Sequence, residues 1–315
     1  MTSLSQQTGL ALSVALSGVV ISLLPAFSRD RAQTTPDLVS GGYSIFDETV
    51  ADLTYLELEE AAKQGAVVLW PLGVMEEHGP HLPLGTDIYV SYLMIKEAAR
   101  HLRSMGHPVV IAPPLYWGIN NVTRSFAGSL SLRPSTLKAI IEDTFQSLYE
   151  DGFRSVYMIT GHGDALHNRT VLEGVAEARA ATGIRGFVVM DSPTGERFGL
   201  TGEEPYVLIV DGSEYGGRFS SLYIDVHAGE SETSVFWFLF SELTRANLIA
   251  DLKPTNYGIE DLIEWRKGWE NARAKTPMGY FGDPAAADRA KGEAAFRASS
   301  LRLAEGITAH VTEAR

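Results

Sequence analysis

From about Ile45 onward, short apolar runs alternate with longer stretches in which apolar residues recur every three or four positions. The runs Ala66–Trp70, Pro108–Pro113, Ser155–Thr160, Gly186–Asp191 and Leu222–Val226 read as strands. The stretches Ile88–Met105, Pro134–Asp151 and Asn168–Thr182 read as amphipathic helices, with Pro134 suited to a first turn, and a last helix is expected from about Pro284 to Thr312. Such alternation predicts an α/β fold: a single domain with a mostly parallel central sheet flanked by helices. The region Ser192–Ser221, rich in Gly and Glu, reads as an inserted loop system. In sheets of this kind ligands bind beyond the carboxyl ends of the strands.

The first 28 residues carry no charged side chain, and Leu10–Phe27 is mostly apolar. This reads as a signal peptide over 1–28, with Ala26 to Ser28 as a small-residue cleavage site. No Lys or Arg precedes the apolar run, while Arg29 and Arg31 follow it. Residues 29–44 read as a linker or arm, and 45–315 as the folded domain. The expected location is periplasmic or secreted, with the cytoplasm as the alternative, and no stable membrane insertion is expected after processing. There are no cysteines, so a metal would be held by nitrogen and oxygen ligands. The net charge is −13, from 26 Lys plus Arg against 39 Asp plus Glu, which argues against a nucleic-acid partner.

Chemistry concentrates in three segments. Residues 71–87 place Glu76, Glu77, His78, His81 and Asp87 directly after a strand. Gly161-His162-Gly163-Asp164 follows another strand, and His227 to Ser234 contains Glu230 and Glu232. Glu76 and His78 are two apart, as are His162 and Asp164, so in extended chain each pair faces one side. Gly161 and Gly163 leave room for close backbone approach. The set Glu76, His78, Asp87, His162, Asp164 and Glu232 exceeds the three protein ligands usual for one catalytic zinc and suits two metals bridged by Asp87. His227 is then free for proton transfer. His81 reads either as orienting a ligand or as loop packing, His167 as helping to start a helix, and Glu77 as a solvent-facing charge.

At these residues the sequence resembles the creatininase (creatinine amidohydrolase) family. The three signatures of that family correspond to 71–87, 161–165 and 227–234, and Phe126 to Leu132 and Gly279 to Pro284 resemble two more. The resemblance implies metal ligation by Glu76, His78, Asp87 and His162, an acidic role for Glu232 and a catalytic role for His227. It leaves open whether Asp164 or Glu232 completes the second metal. It further implies two divalent ions, Zn and/or Mn, hydrolysis of non-peptide C–N bonds in small cyclic or linear amides through a metal-bridging hydroxide, and a homo-oligomer, often a hexamer. Glu77 stands where the family has Gln, Val74 where it has Ser, and Thr123 where a His is common. Two related activities, formamide deformylation and peptide trimming, fit the same motifs, and an exported metal-binding protein without turnover is the reading from a different class.

Overall fold

The computed structural model describes residues 44–211, 219 and 223–313. The leader expected over 1–28 and the arm over 29–44 lie outside these residues, Ser44 apart. Helix α1 (Tyr55–Lys63) opens on a capping box in which Thr54 and Glu57 satisfy each other's backbone N–H. Then come β1 (Val67–Leu72), α2 (Thr86–Ser104), β2 (Val109–Ile111), α3 (Pro134–Glu150), β3 (Ser155–Thr160), α4 (Ala165–Thr182), β4 (Arg185–Asp191), α5 (Ser192–Phe198) and β5 (Val207–Val210). The chain continues through α6 (Glu230–Leu239), α7 (Ala246–Ile249), α8 (Ile259–Trp265) and α9 (Glu270–Lys275) to α10 (Arg289–Glu313).

Among the described residues five strands form one parallel sheet, in the order β2-β1-β3-β4-β5. The interior strand β1 is buried along its whole length, which is why its sequence is a continuous apolar run rather than an alternating one. Val68, Trp70 and Leu72 point to one face and pack with Leu137, Ile141 and Phe145 of α3 and Val171 and Val175 of α4. Val67 and Leu69 point to the other, against Ile95 and Leu102 of α2 and Leu303 and Ile307 of α10. The strand order reverses between β1 and β3, so a crevice opens beyond their carboxyl ends. The loops after these two strands carry the first two chemical segments.

The sequence expectations hold for four strands and four helices within a few residues. The fifth strand does not fall at Leu222–Val226. Leu222 lies outside the described residues, and the chain at Val226 and His227 instead forms one isolated antiparallel bridge with Phe281. The fifth strand is Val207–Val210, inside the segment read as a loop system, which also holds α5. A four-residue edge strand needs only one neighbour, and its short apolar run is masked by flanking Gly and Glu. No helix among the described residues is long and apolar enough to cross a membrane.

Candidate metal centre

Asp87 sits in the first turn of α2, where the positive end of the helix favours a carboxylate. Two glycines bring that turn against the strand ends. A Cβ on Gly73 would lie 2.6 Å from the Ile88 Cα, and one on Gly161 would run into Ser91 Oγ and the Asp87 backbone. Gly163 has open space around it, so the close approach expected there is made by Gly161 alone.

Asp87 therefore lies between two imidazoles. Its Oδ1 is 3.2 Å from His78 Nε2, and its Oδ2 is 3.1 Å from His162 Nδ1. Glu76 Oε2 is 2.9 Å from the same His162 nitrogen, and Glu232 Oε2 is 3.8 Å from His78 Nε2. Glu232 comes from the first turn of α6, where its Oε2 also accepts from the Ala228 N–H at 2.6 Å. Ligand atoms of Glu76, Asp87 and His162 lie within 4.8 Å of one another, and so do those of His78, Asp87 and Glu232. Glu76, His78 and His227 form a third such group.

The outer nitrogens fix the tautomers. His78 Nδ1 donates to the Glu76 carbonyl at 3.1 Å, and His162 Nε2 donates to the Ile119 carbonyl at 3.0 Å. The inner nitrogens of the neutral rings are then lone pairs aimed at carboxylate lone pairs. His78 Nε2 and Asp87 Oδ2 are buried without a hydrogen-bond partner. Buried acceptors facing acceptors need a positive charge between them, a proton or a metal ion alike. The charge balance runs the same way. Burial pulls His78 down, but Asp87 and Glu232 outweigh it and push its imidazole up to about 9. Burial likewise opposes charge on His162, yet Glu76 and Asp87 hold it well above its ordinary value. Glu76 and Asp87 stay below the usual carboxylate range despite burial, because His162 and His78 respectively stand beside them. The nitrogen and oxygen donor set, with its carbonyl-oriented imidazoles, fits a pair of divalent ions.

Asp164 does not join either set. It caps α4, with Oδ1 accepting from the Leu166 and His167 N–H groups at 2.8 and 3.2 Å. Its Oδ2 accepts from the Asn121 and Val122 N–H groups at 2.9 and 3.1 Å. Four backbone donors occupy the carboxylate of Asp164, and the acid that lies beside His78 and Asp87 is Glu232.

Glu77 is buried, not solvent-facing: its carbonyl accepts from His227 Nε2 at 2.7 Å, and its Oε2 accepts from the Gly79 N–H at 3.1 Å. His227 thus turns Nδ1 inward, 4.0 Å from Glu232 Oε2. Glu230 is fully buried and pairs with Lys291 Nζ at 2.8 Å. His81 has its Nε2 2.8 Å from Thr233 Oγ1, tying the β1 loop to α6, and burial pushes its imidazole down to about 4. His167, in the first turn of α4, accepts from the Ile119 N–H at 3.2 Å and is pushed down to about 3 by burial.

The segment between β2 and α3 supplies parts that the sequence reading did not assign. Besides the Ile119 carbonyl and the two N–H groups on Asp164, it provides Thr123, whose Oγ1 donates to Glu76 Oε1 at 2.6 Å. A cavity of about 300 Å³ opens over the cluster, with Glu76, Asp87, His162, His227 and Glu232 in its lining. Trp265 and Arg169, Arg197 and Arg266 line it as well.

The chain is 25% identical over 268 residues to the creatinine amidohydrolase of Pseudomonas putida, covering 82% of this chain and 95% of that one. It is 27% identical over 234 residues to the mycofactocin precursor peptide peptidase of Mycobacterium ulcerans, covering 73% and 79%. Among solved structures, the manganese form of creatininase has the same fold, with a TM-score of 0.62 at 20% identity over 84% of this chain and 98% of that one. The family described as creatininase, creatinine amidohydrolase, matches residues 51–307, and the chain belongs to that family.

Proposed function

We propose that the chain hydrolyses a non-peptide C–N bond of a small linear or cyclic amide, using two divalent metal ions, Zn and/or Mn. The observation that carries this reading is the placement of Asp87, whose two oxygens face two imidazoles from different loops, with Glu76 and Glu232 completing three groups on either side. Glu76, Asp87 and His162 would hold one ion, and His78, Asp87 and Glu232 the other. When bound, such ions polarise a carbonyl oxygen and make water nucleophilic near neutral pH.

The remaining roles belong to the chain. The Glu76 and Ile119 carbonyls orient the His78 and His162 rings, so the inner nitrogens need not reorganise. The Glu77 carbonyl holds His227 with Nδ1 towards the cavity, the atom from which a proton can pass to the leaving nitrogen. Trp265, 5.9 Å from the His227 ring, gives the wall an apolar surface that limits water beside it. A second reading, peptide trimming, is favoured by the 27% identical relative that is named a peptide peptidase.

The test is metal content with activity. Two ions per chain, loss of hydrolysis after dialysis against a chelator and recovery with zinc or manganese are expected. One tightly held ion with no turnover on lactams, ureides, formamides or short peptides would favour a metal-binding protein instead. Turnover of short peptides alone would select the second reading.

A further inference from the structure

Three arginines from three separate elements converge on the cavity above the cluster: Arg169 from α4, Arg197 from α5 and Arg266 just after α8. All three are exposed at residue level, yet they line the same cavity as the buried ligand groups. Neither Arg169 nor Arg266 forms an ion pair among the described residues. Arg197 is held in place by donating to the Gly163 carbonyl at 3.1 Å, with its guanidinium 4.8 Å from the Phe198 ring.

Burial pulls the Arg197 guanidinium down and Arg266 pushes it further in the same direction, against the opposing pull of Asp191 and Asp164. Like charges gathered from three elements on a chain of net charge −13 are not a by-product of composition. Asp164 lies in the same lining, but its oxygens are occupied by four backbone N–H groups. A neutral amide would offer the guanidiniums no charge-assisted hydrogen bond. An oxyanion would accept their forked N–H groups.

We propose that the substrate of this site carries an anionic group, a carboxylate or a phosphate, at the end away from the scissile C–N bond, and that Arg169, Arg197 and Arg266 bind it. The proposal rests on the hydrolase reading for the position of the scissile bond, but the anion site itself can be read by binding alone.

Calorimetry on the metal-loaded full chain compares dicarboxylates from malonate to adipate with monocarboxylates of the same length. Both series offer one carboxylate to the metal centre; only the first offers another to the arginines. One dicarboxylate length should bind at least about tenfold more tightly than its monocarboxylate partner. That advantage should fall about tenfold in Arg169→Gln and in Arg266→Gln, while Arg297→Gln, on α10, keeps it. Replacing succinate by 3-phosphonopropionate separates the two sources: tighter binding assigns the anion as phosphate, weaker binding as carboxylate. Equal affinities for the two series, or an advantage that survives both substitutions, overturns the proposal. Parallel hydrolysis of matched charged and neutral amides keeps the two claims apart. An arginine-dependent binding advantage without turnover would sink the hydrolase reading and leave the anion site standing. Turnover with no such advantage would do the reverse.

Discussion

The chain after β1 and the chain after β3 each carry an aspartate near the start of the next helix, Asp87 in α2 and Asp164 before α4. The two carboxylates nevertheless do opposite work. Asp164 accepts four backbone N–H groups and so joins the Asn121–Val122 turn to α4. Asp87 is inside its helix, not at the cap, and its side chain meets two imidazole nitrogens. Backbone donors consume a carboxylate's lone pairs; an acid without them is left to bind a cation. The distinction depends on two positions relative to the helix start.

The harshest way to break this comparison is to remove the shared acid. Asp87→Ala takes a donor from both proposed ion sites at once. Metal content should fall towards zero and kcat/KM by about 10⁴-fold or more, since both ions contribute to carbonyl polarisation and water activation. Retention of two ions by this variant, measured by elemental analysis, would show that Asp87 does not bridge.

His227→Asn sharpens the distinction between holding metal and moving protons. The ring hangs from the Glu77 carbonyl, and its inner nitrogen faces Glu232. With a proton-transfer role, kcat should drop by about 10²–10³-fold with two ions still bound. His227 also lies within reach of Glu76 and His78, so loss of one ion would instead make it a ligand.

Asp164→Ala should act on stability rather than on metal. It removes a helix cap and leaves buried N–H groups of Val122 and His167 without their acceptor, a loss of about 2–4 kcal/mol. Denaturant unfolding of the metal-free protein reads this directly. Two ions per chain should remain at saturating metal. A fall to one ion with unchanged unfolding would return Asp164 to the ligand set.

Why Asp164 read as a ligand from sequence is physical. The sequence pattern predicts the helix from Asn168, so Asp164, two residues after His162, reads as facing the same side of an extended strand end. The helix begins at Ala165, and an Asp immediately before a helix is a cap signal as strong as a His-x-Asp spacing is a metal signal. β1, β3 and β4 and the helices α2 to α4 were legible because two-sided burial writes long periodic runs. β5 was not, because four residues on a sheet edge write almost nothing. Glu77 reads as solvent-facing for a different reason: it stands between two residues of the cluster, and only the packing of His227 shows that it too is buried. Arg169, Arg197 and Arg266 are far apart in the chain, and no spacing rule gathers them.

The gentlest change tests the other half of the comparison, that the metal-side acids depend on side-chain donors where Asp164 depends on backbone. Glu76 faces His162 through Oε2 and receives the Thr123 hydroxyl on Oε1. Thr123→Val keeps the shape of a fully buried side chain and deletes only that donor. Glu76 would keep its place through His162 but lose the hydrogen bond that fixes its rotation, so metal affinity should fall by about tenfold. Competition with a chelator measures this. The metal-free protein should unfold within about 1 kcal/mol of the parent, because the lost partner belongs to one hydroxyl and one carboxylate oxygen. If affinity holds and unfolding shifts instead, Thr123 packs the loop and Glu76 needs no help to point at its imidazole.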